Sequence, residues 1–86
     1  MADVIVTFKV MPTGVDVNLE ELEKKIKEVI QPTGIKREPI AFGLVALRVT
    51  KLIPDAGGEL ERVENKLRTL EDVSEVEVEE ISRAFN

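Results

Sequence analysis

Between Asp3 and Met11 the chain alternates. Val4, Val6, Phe8 and Val10 take one parity; Ile5, Thr7 and Lys9 take the other. A period of two predicts a half-buried strand. Pro12, Gly14 and Asp16 then predict a loop. From Asn18 the period lengthens, and Leu19, Leu22, Ile26, Val29 and Ile30 fall on one face of a helix. Asn18 is a favourable N-cap with Glu21 three residues on, the spacing of a capping box. Glu20–Lys24, Glu21–Lys25 and Glu23–Lys27 are i,i+4 pairs in the stabilising order, so this lysine run reads as a solvated, self-paired face. Pro32 and Gly34 end the helix.

Ile35 to Ala41 predicts a second strand, and Pro39, which has no N–H for a ladder, places it at a sheet edge. Leu44 to Ile53 predicts a third. Val45, Leu47 and Val49 face one way; Leu44, Ala46, Arg48, Thr50 and Leu52 face the other. Lys51 has inward parity, so it either snorkels at the strand end or marks a bulge. Pro54, Asp55, Gly57 and Gly58 form a loop. A second helix runs from Glu59 to about Leu70 on a stripe of Leu60, Val63, Leu67 and Leu70. On its surface Glu64–Arg68 attracts and Arg62–Lys66 repels. The last strand spans Ser74 to Ser82, with Val76 and Val78 alternating with Glu75, Glu77 and Glu79.

An offset of 41 maps one half onto the other. Leu19, Leu22, Ile26 and Val29 land on Leu60, Val63, Leu67 and Leu70; Val4, Val6 and Phe8 land on Val45, Leu47 and Val49. A β-α-β unit used twice predicts an α+β, ferredoxin-like βαββαβ sandwich: a four-stranded antiparallel sheet with two helices on one face. Strands one and three should be central. The uncovered sheet face should carry Ile5, Thr7, Lys9, Leu44, Ala46, Arg48 and Thr50, with Glu75, Glu77 and Glu79 on the outer strand.

With 86 residues the chain has room for one core, so residues 1–86 are expected to form a single domain. Neither Cys nor His occurs, which excludes disulfides, thiolate or imidazole metal sites and a histidine base. Ser74 and Ser82 have no base beside them, so no nucleophile–base pair suggests an enzyme. The loop from Asp55 to Gly58 lacks the ending of a phosphate loop. Glu75, Glu77, Glu79 and Glu80 could hold a hard cation, but a charged, solvated edge strand is the plainer reading. The net charge is −5, and residues 54–86 hold −6 against +1 for residues 1–53. That balance repels nucleic acid and anionic membrane, and it suits a basic protein partner or a merely solvated surface. RNA binding on the open face would also need aromatics to stack bases, and Phe8 has the wrong parity. No signal peptide or membrane span is visible, so a cytoplasmic protein is expected.

The most apolar run is Glu38 to Ile53, and within it Ala41-Phe42-Gly43 joins two strands. Phe42 is either a turn aromatic folded onto the core or an exposed wedge on a rigid hairpin. Two function classes fit: a protein-binding module acting on a larger partner, or a small ligand-binding or dimerising regulatory module. The sequence resembles the archaeal elongation factor 1-beta family over essentially its full length. The resemblance lies in DVIVTFKVMP at Asp3–Pro12, the helix start NLEELEKKI, PIAFGLVALRV at Pro39–Val49, and the ending VSEVEVEEISRAF. Pro39–Leu47 is its most specific part, since the eukaryotic exchange domain has a similar proline–aliphatic–x–aromatic–glycine junction.

The resemblance implies a guanine nucleotide exchange factor that speeds GDP release from elongation factor 1-alpha, the GTPase that delivers aminoacyl-tRNA, and so allows GTP to reload. It implies a non-enzymatic role, no cofactor or metal of the chain's own, and a monomer when free. Its site residues would be Phe42 and Gly43 at the hairpin, packing into the GTPase, and Arg83 reaching toward the Mg²⁺ and phosphate region. Eukaryotic members carry Lys there, followed by one aliphatic residue. Here Arg83 is followed by Ala84, Phe85 and Asn86, so Phe85 would share the contact. Pairing of Arg83 with Glu79 or Glu80 is the alternative.

Overall fold

The computed structural model describes residues 3–83. The elements follow in the order β1 (Asp3–Pro12), α1 (Leu19–Ile30), β2 (Gly34–Pro39), β3 (Val45–Pro54), α2 (Glu59–Arg68) and β4 (Val73–Arg83). The sheet is wholly antiparallel in the order β2-β3-β1-β4. Strands one and three are central and the proline-bearing strand is an edge, as the alternation predicts. This is the ferredoxin-like α+β arrangement.

The core is what the two periods dictate. Val6, Phe8 and Val10 of β1, Leu47, Val49 and Ile53 of β3, and Val73 and Val76 of β4 pack with Leu22, Ile26 and Ile30 of α1 and Val63 and Leu67 of α2. Among the described residues no charged or polar one is buried with them. Each fully buried aliphatic or aromatic side chain contributes about 1.5–3 kcal/mol, so this layer holds both helices on one face of the sheet.

Local signals act as expected at α1. Asn18 Oδ1 accepts the Glu21 N–H at 3.2 Å. At the other end Gln31 turns left-handed, and its N–H reaches the Lys27 carbonyl. The surface of α1 departs from expectation. Glu23 pairs with Arg37 of β2 at 2.8 Å, and Lys25 with Asp72 at 3.6 Å, instead of with their i,i+4 neighbours. A tertiary partner of fixed geometry wins over two flexible side chains that gain only about 0.2–0.5 kcal/mol per helical pair. The hydrogen bond to Glu23, then its charge, raises the pKa of Arg37 above the ordinary arginine value.

Four further details correct the sequence reading. The second strand ends at Pro39, not at Ala41, because Ala41–Gly43 curls into a turn. α2 ends at Arg68, with Thr69 as its cap and Leu70 only half-buried beyond it. Ala46 has open-face parity but is fully buried, its methyl too short to rise above longer neighbours. Lys51 pairs with Val6 in an unbroken register and sends its Nζ to the Gln31 carbonyl at 3.3 Å. It therefore snorkels to the C-terminal end of α1, where a cation is favoured. The bulges lie on the β1–β4 ladder, at Thr7/Phe8 and Met11/Pro12.

Candidate functional site

At the β2–β3 tip the backbone reverses in four residues. The Leu44 N–H donates to the Ala41 carbonyl at 3.2 Å, and the Ile40 N–H to the Leu44 carbonyl at 2.8 Å. The two central residues both have positive φ: Phe42 at 61° and Gly43 at 77°. This is the signature of the primed hairpin turns, whose twist matches the flanking strands and which favour Asn-Gly or Gly-Gly. Gly43 fits. Phe42 does not, because a left-handed conformation puts its Cβ against backbone and costs an L-residue roughly 1–2 kcal/mol.

Phe42 gains no burial in exchange, being 95% exposed. Of the two readings of this aromatic, packing on its own sheet is excluded. A strained, bulky side chain left exposed on a closed hairpin is not accounted for by the fold itself, which makes this tip the candidate contact.

The other expected site residue lies far away. In the register Val45–Ile53 runs the length of β3, Ile53 faces Val4 on β1, and Val4 faces Arg83 on β4. Eight residues at about 3.3 Å each put roughly 26 Å between the hairpin end of the sheet and the Arg83 end. So the fold brings Phe42 and Gly43 together and holds Arg83 at the opposite edge. Phe85 lies outside the described residues.

The bulge sets how β4 presents that end. Phe8 pairs with Val78 but Thr7 with Glu80, so Glu79 is the extra residue. Directly opposed residues share a face, so Ile81 and Arg83 join the parity of Val6 and Val4, while Glu80 and Ser82 turn to the open face. Ile81 is 54% exposed there and stands two residues from Arg83 on the same face. In the sequence Ile81 figures only as the repeat partner of Ile40 and not as a site residue. The signal was the spacing Val76, Val78, Ile81, where the period of two breaks at the doubled Glu79-Glu80. Among the described residues no carboxylate lies within ion-pair distance of Arg83. Glu79 is taken by Arg48, with Nε 3.2 Å from Oε1 but poorly aligned for a hydrogen bond.

The open sheet face carries a row of cations that runs to the acidic edge strand. Lys36, Arg48 and Lys9 stand in one cross-strand row that ends on Glu77. Glu77 stands opposite Lys9 in the register, and Glu79 pairs with Arg48. Among the described residues no three carboxylates converge as a metal site would need. No described helix is long and apolar enough to cross a membrane.

Comparison with known proteins assigns this architecture. The EF-1 guanine nucleotide exchange domain matches residues 5–84. The elongation factor 1-beta of Methanothermobacter thermautotrophicus is 49% identical over 88 residues, covering 96% of this chain and 98% of that protein. The elongation factor 1-beta of Thermococcus gammatolerans is 45% identical over 86 residues, covering 94% of each chain. That of Staphylothermus marinus is 42% identical, covering 96% of this chain and 98% of its own length. With one exchange-domain match spanning both ends of the sheet, and with relatives matched over nearly the whole chain, the chain belongs to the elongation factor 1 guanine nucleotide exchange family.

Proposed function

We propose that this chain, residues 1–86 acting as one exchange unit, promotes GDP release from the elongation factor 1-alpha GTPase by touching it at both ends of its sheet. Exchange as such is the function of the family to which the chain belongs. The partner, the residues and the monomeric, cytoplasmic working state are the proposal. Phe42, presented by Gly43, enters the partner as an apolar wedge. Arg83, with Phe85 two residues on in sequence, approaches the Mg²⁺ and phosphate region from the opposite end of the sheet, whose ends lie about 26 Å apart along β3 by the strand rise. The observation that carries this reading is Phe42, 95% exposed in a conformation that disfavours it.

The physics needs no acid, base or covalent step. A GTPase holds GDP through a phosphate-binding loop and a bound Mg²⁺, so a cation that competes there loosens several contacts together. Linkage makes the effect mutual: if the factor weakens GDP, GDP weakens the factor by the same ratio. The rigid sheet fixes the separation of the two contacts, so binding at the wedge raises the effective concentration of Arg83 at its target.

Release of a fluorescent GDP from a purified archaeal elongation factor 1-alpha tests this, with the chain in catalytic amounts. Strong acceleration that disappears in Phe42→Ala is expected. No acceleration of an active GTPase overturns the reading.

A further inference from the structure

We propose that Val15 is a second apolar anchor, entering the same recess of the partner GTPase as Phe42. This rests on the exchange reading above and adds a residue and a shape to it. Val15 belongs to the β1–α1 loop, 27 residues before Phe42 in the chain. It is 68% exposed, and with Phe42 it is one of four large apolar side chains exposed among the described residues. The other two, Leu52 and Ile81, pair with Ile5 and Val6 near the far end of the sheet.

The two loops meet at Gly43. A Cβ built on Gly43 would stand 3.8 Å from Val15 Cγ1, an ordinary van der Waals distance. Val15 thus lies against the hairpin tip at Gly43, the residue next to Phe42, so two separate segments bring two exposed apolar side chains to one end of the sheet. Nearness to the tip is what distinguishes Val15 from singly scattered surface apolars, which need no explanation.

The loop that carries Val15 is braced on both sides. The Thr13 N–H donates to the Asp72 carbonyl at 2.9 Å, tying the loop's base to the turn before β4. The Val17 N–H reaches the Gly14 carbonyl at 3.4 Å, and Val17 itself packs against the core. Val17 points in and Val15 points out, two residues apart. A loop anchored this way keeps Val15 beside the hairpin in the free protein, so docking orders little and most of the apolar contact appears as affinity.

The recess that receives this knob is apolar and wider than one phenylalanine ring. Its walls must accommodate an aromatic and a β-branched side chain side by side. A charge at position 15 would be buried without a partner in such a recess, which is far worse than a simple truncation.

The test measures GDP release and affinity for the nucleotide-free GTPase, using wild-type chain, Val15→Asp, Val15→Ala, Phe42→Ala and the double variant Val15→Asp/Phe42→Ala. Thermal unfolding of each variant keeps fold and contact apart; exposure of both side chains predicts unchanged transitions. Val15→Ala is expected to weaken binding several-fold and Val15→Asp by about tenfold or more. The double variant should be scarcely worse than Phe42→Ala, because one recess is emptied twice. Wild-type behaviour of Val15→Asp, with Phe42→Ala defective, overturns the inference and leaves the exchange reading standing. So does a Val15→Asp effect of equal size in both backgrounds, which would put Val15 at a separate contact. A wild-type chain that neither binds nor accelerates the GTPase removes the exchange reading, and the second anchor with it.

Discussion

Phe8 and Phe42 are the same side chain in opposite circumstances. Phe8 lies mid-strand in β1, fully buried between the sheet and both helices, in extended backbone that suits an aromatic. Phe42 stands at the β2–β3 tip, almost fully exposed, in left-handed backbone that suits Asn or Gly. Every physical preference places Phe8 where it is, and none places Phe42. The central strand is explained by folding; the tip is not, and the proposed contact with the GTPase is what would account for it.

The contrast can be pressed from either side. Phe8→Ala should produce the largest change, about 3–5 kcal/mol lost to the cavity and missing contacts. Denaturant unfolding reads it, and any loss of exchange should track the unfolded fraction. Phe42→Ala should do the reverse. Its stability should stay within about 0.5 kcal/mol of wild type, as for surface changes generally. Its exchange rate should fall at least thirtyfold, roughly the 2 kcal/mol of an interface hot spot. A Phe42→Ala variant that unfolds early would show that the tip belongs to the frame after all.

Arg83→Ala extends the comparison to the far end of β4. Exchange should slow by about tenfold, near 1.5 kcal/mol for one lost charged contact, with unfolding unchanged. Activity equal to wild type would confine the function to the hairpin. Phe42→Gly is the most diagnostic, through a small change in stability of the opposite sign. It should stabilise the fold by about 0.5–1 kcal/mol, the left-handed strain relieved less the entropy of a more flexible unfolded chain. The same variant should be inactive in exchange. A residue whose removal improves folding and abolishes function is the signature of a site under strain.

Much of the frame was legible because burial has a period. Alternation placed Val6, Phe8, Val10, Leu47 and Val49 on the inner face, the helical stripes placed Leu22, Ile26, Val63 and Leu67 against them, and the offset of 41 joined these into two β-α-β units. Asn18 was legible as a cap because the bond it makes is local. Phe42 and Gly43 were legible as a junction but not as a wedge, since sequence states neither φ nor exposure. The i,i+4 pairs of α1 were misleading for a related reason. Their partners are available in any helix, whereas Arg37 and Asp72 approach Glu23 and Lys25 only once the strands are in place. Val15 carried no signal beyond being apolar in a polar loop. Its neighbour Gly43 is brought to it by the sheet.

Sequence alone therefore determined the elements, their order, the inner face and the strand at the edge, because short-range periodicity and backbone chemistry encode each of them. Tertiary structure alone decided the register of β4, where the extra Glu79 turns Ile81 and Arg83 to the helix side. It alone set the distance between the two ends of the sheet, and it alone brought Val15 to Gly43 at the hairpin. These depend on which strand lies beside which, and pairing between distant segments has no local period to announce it.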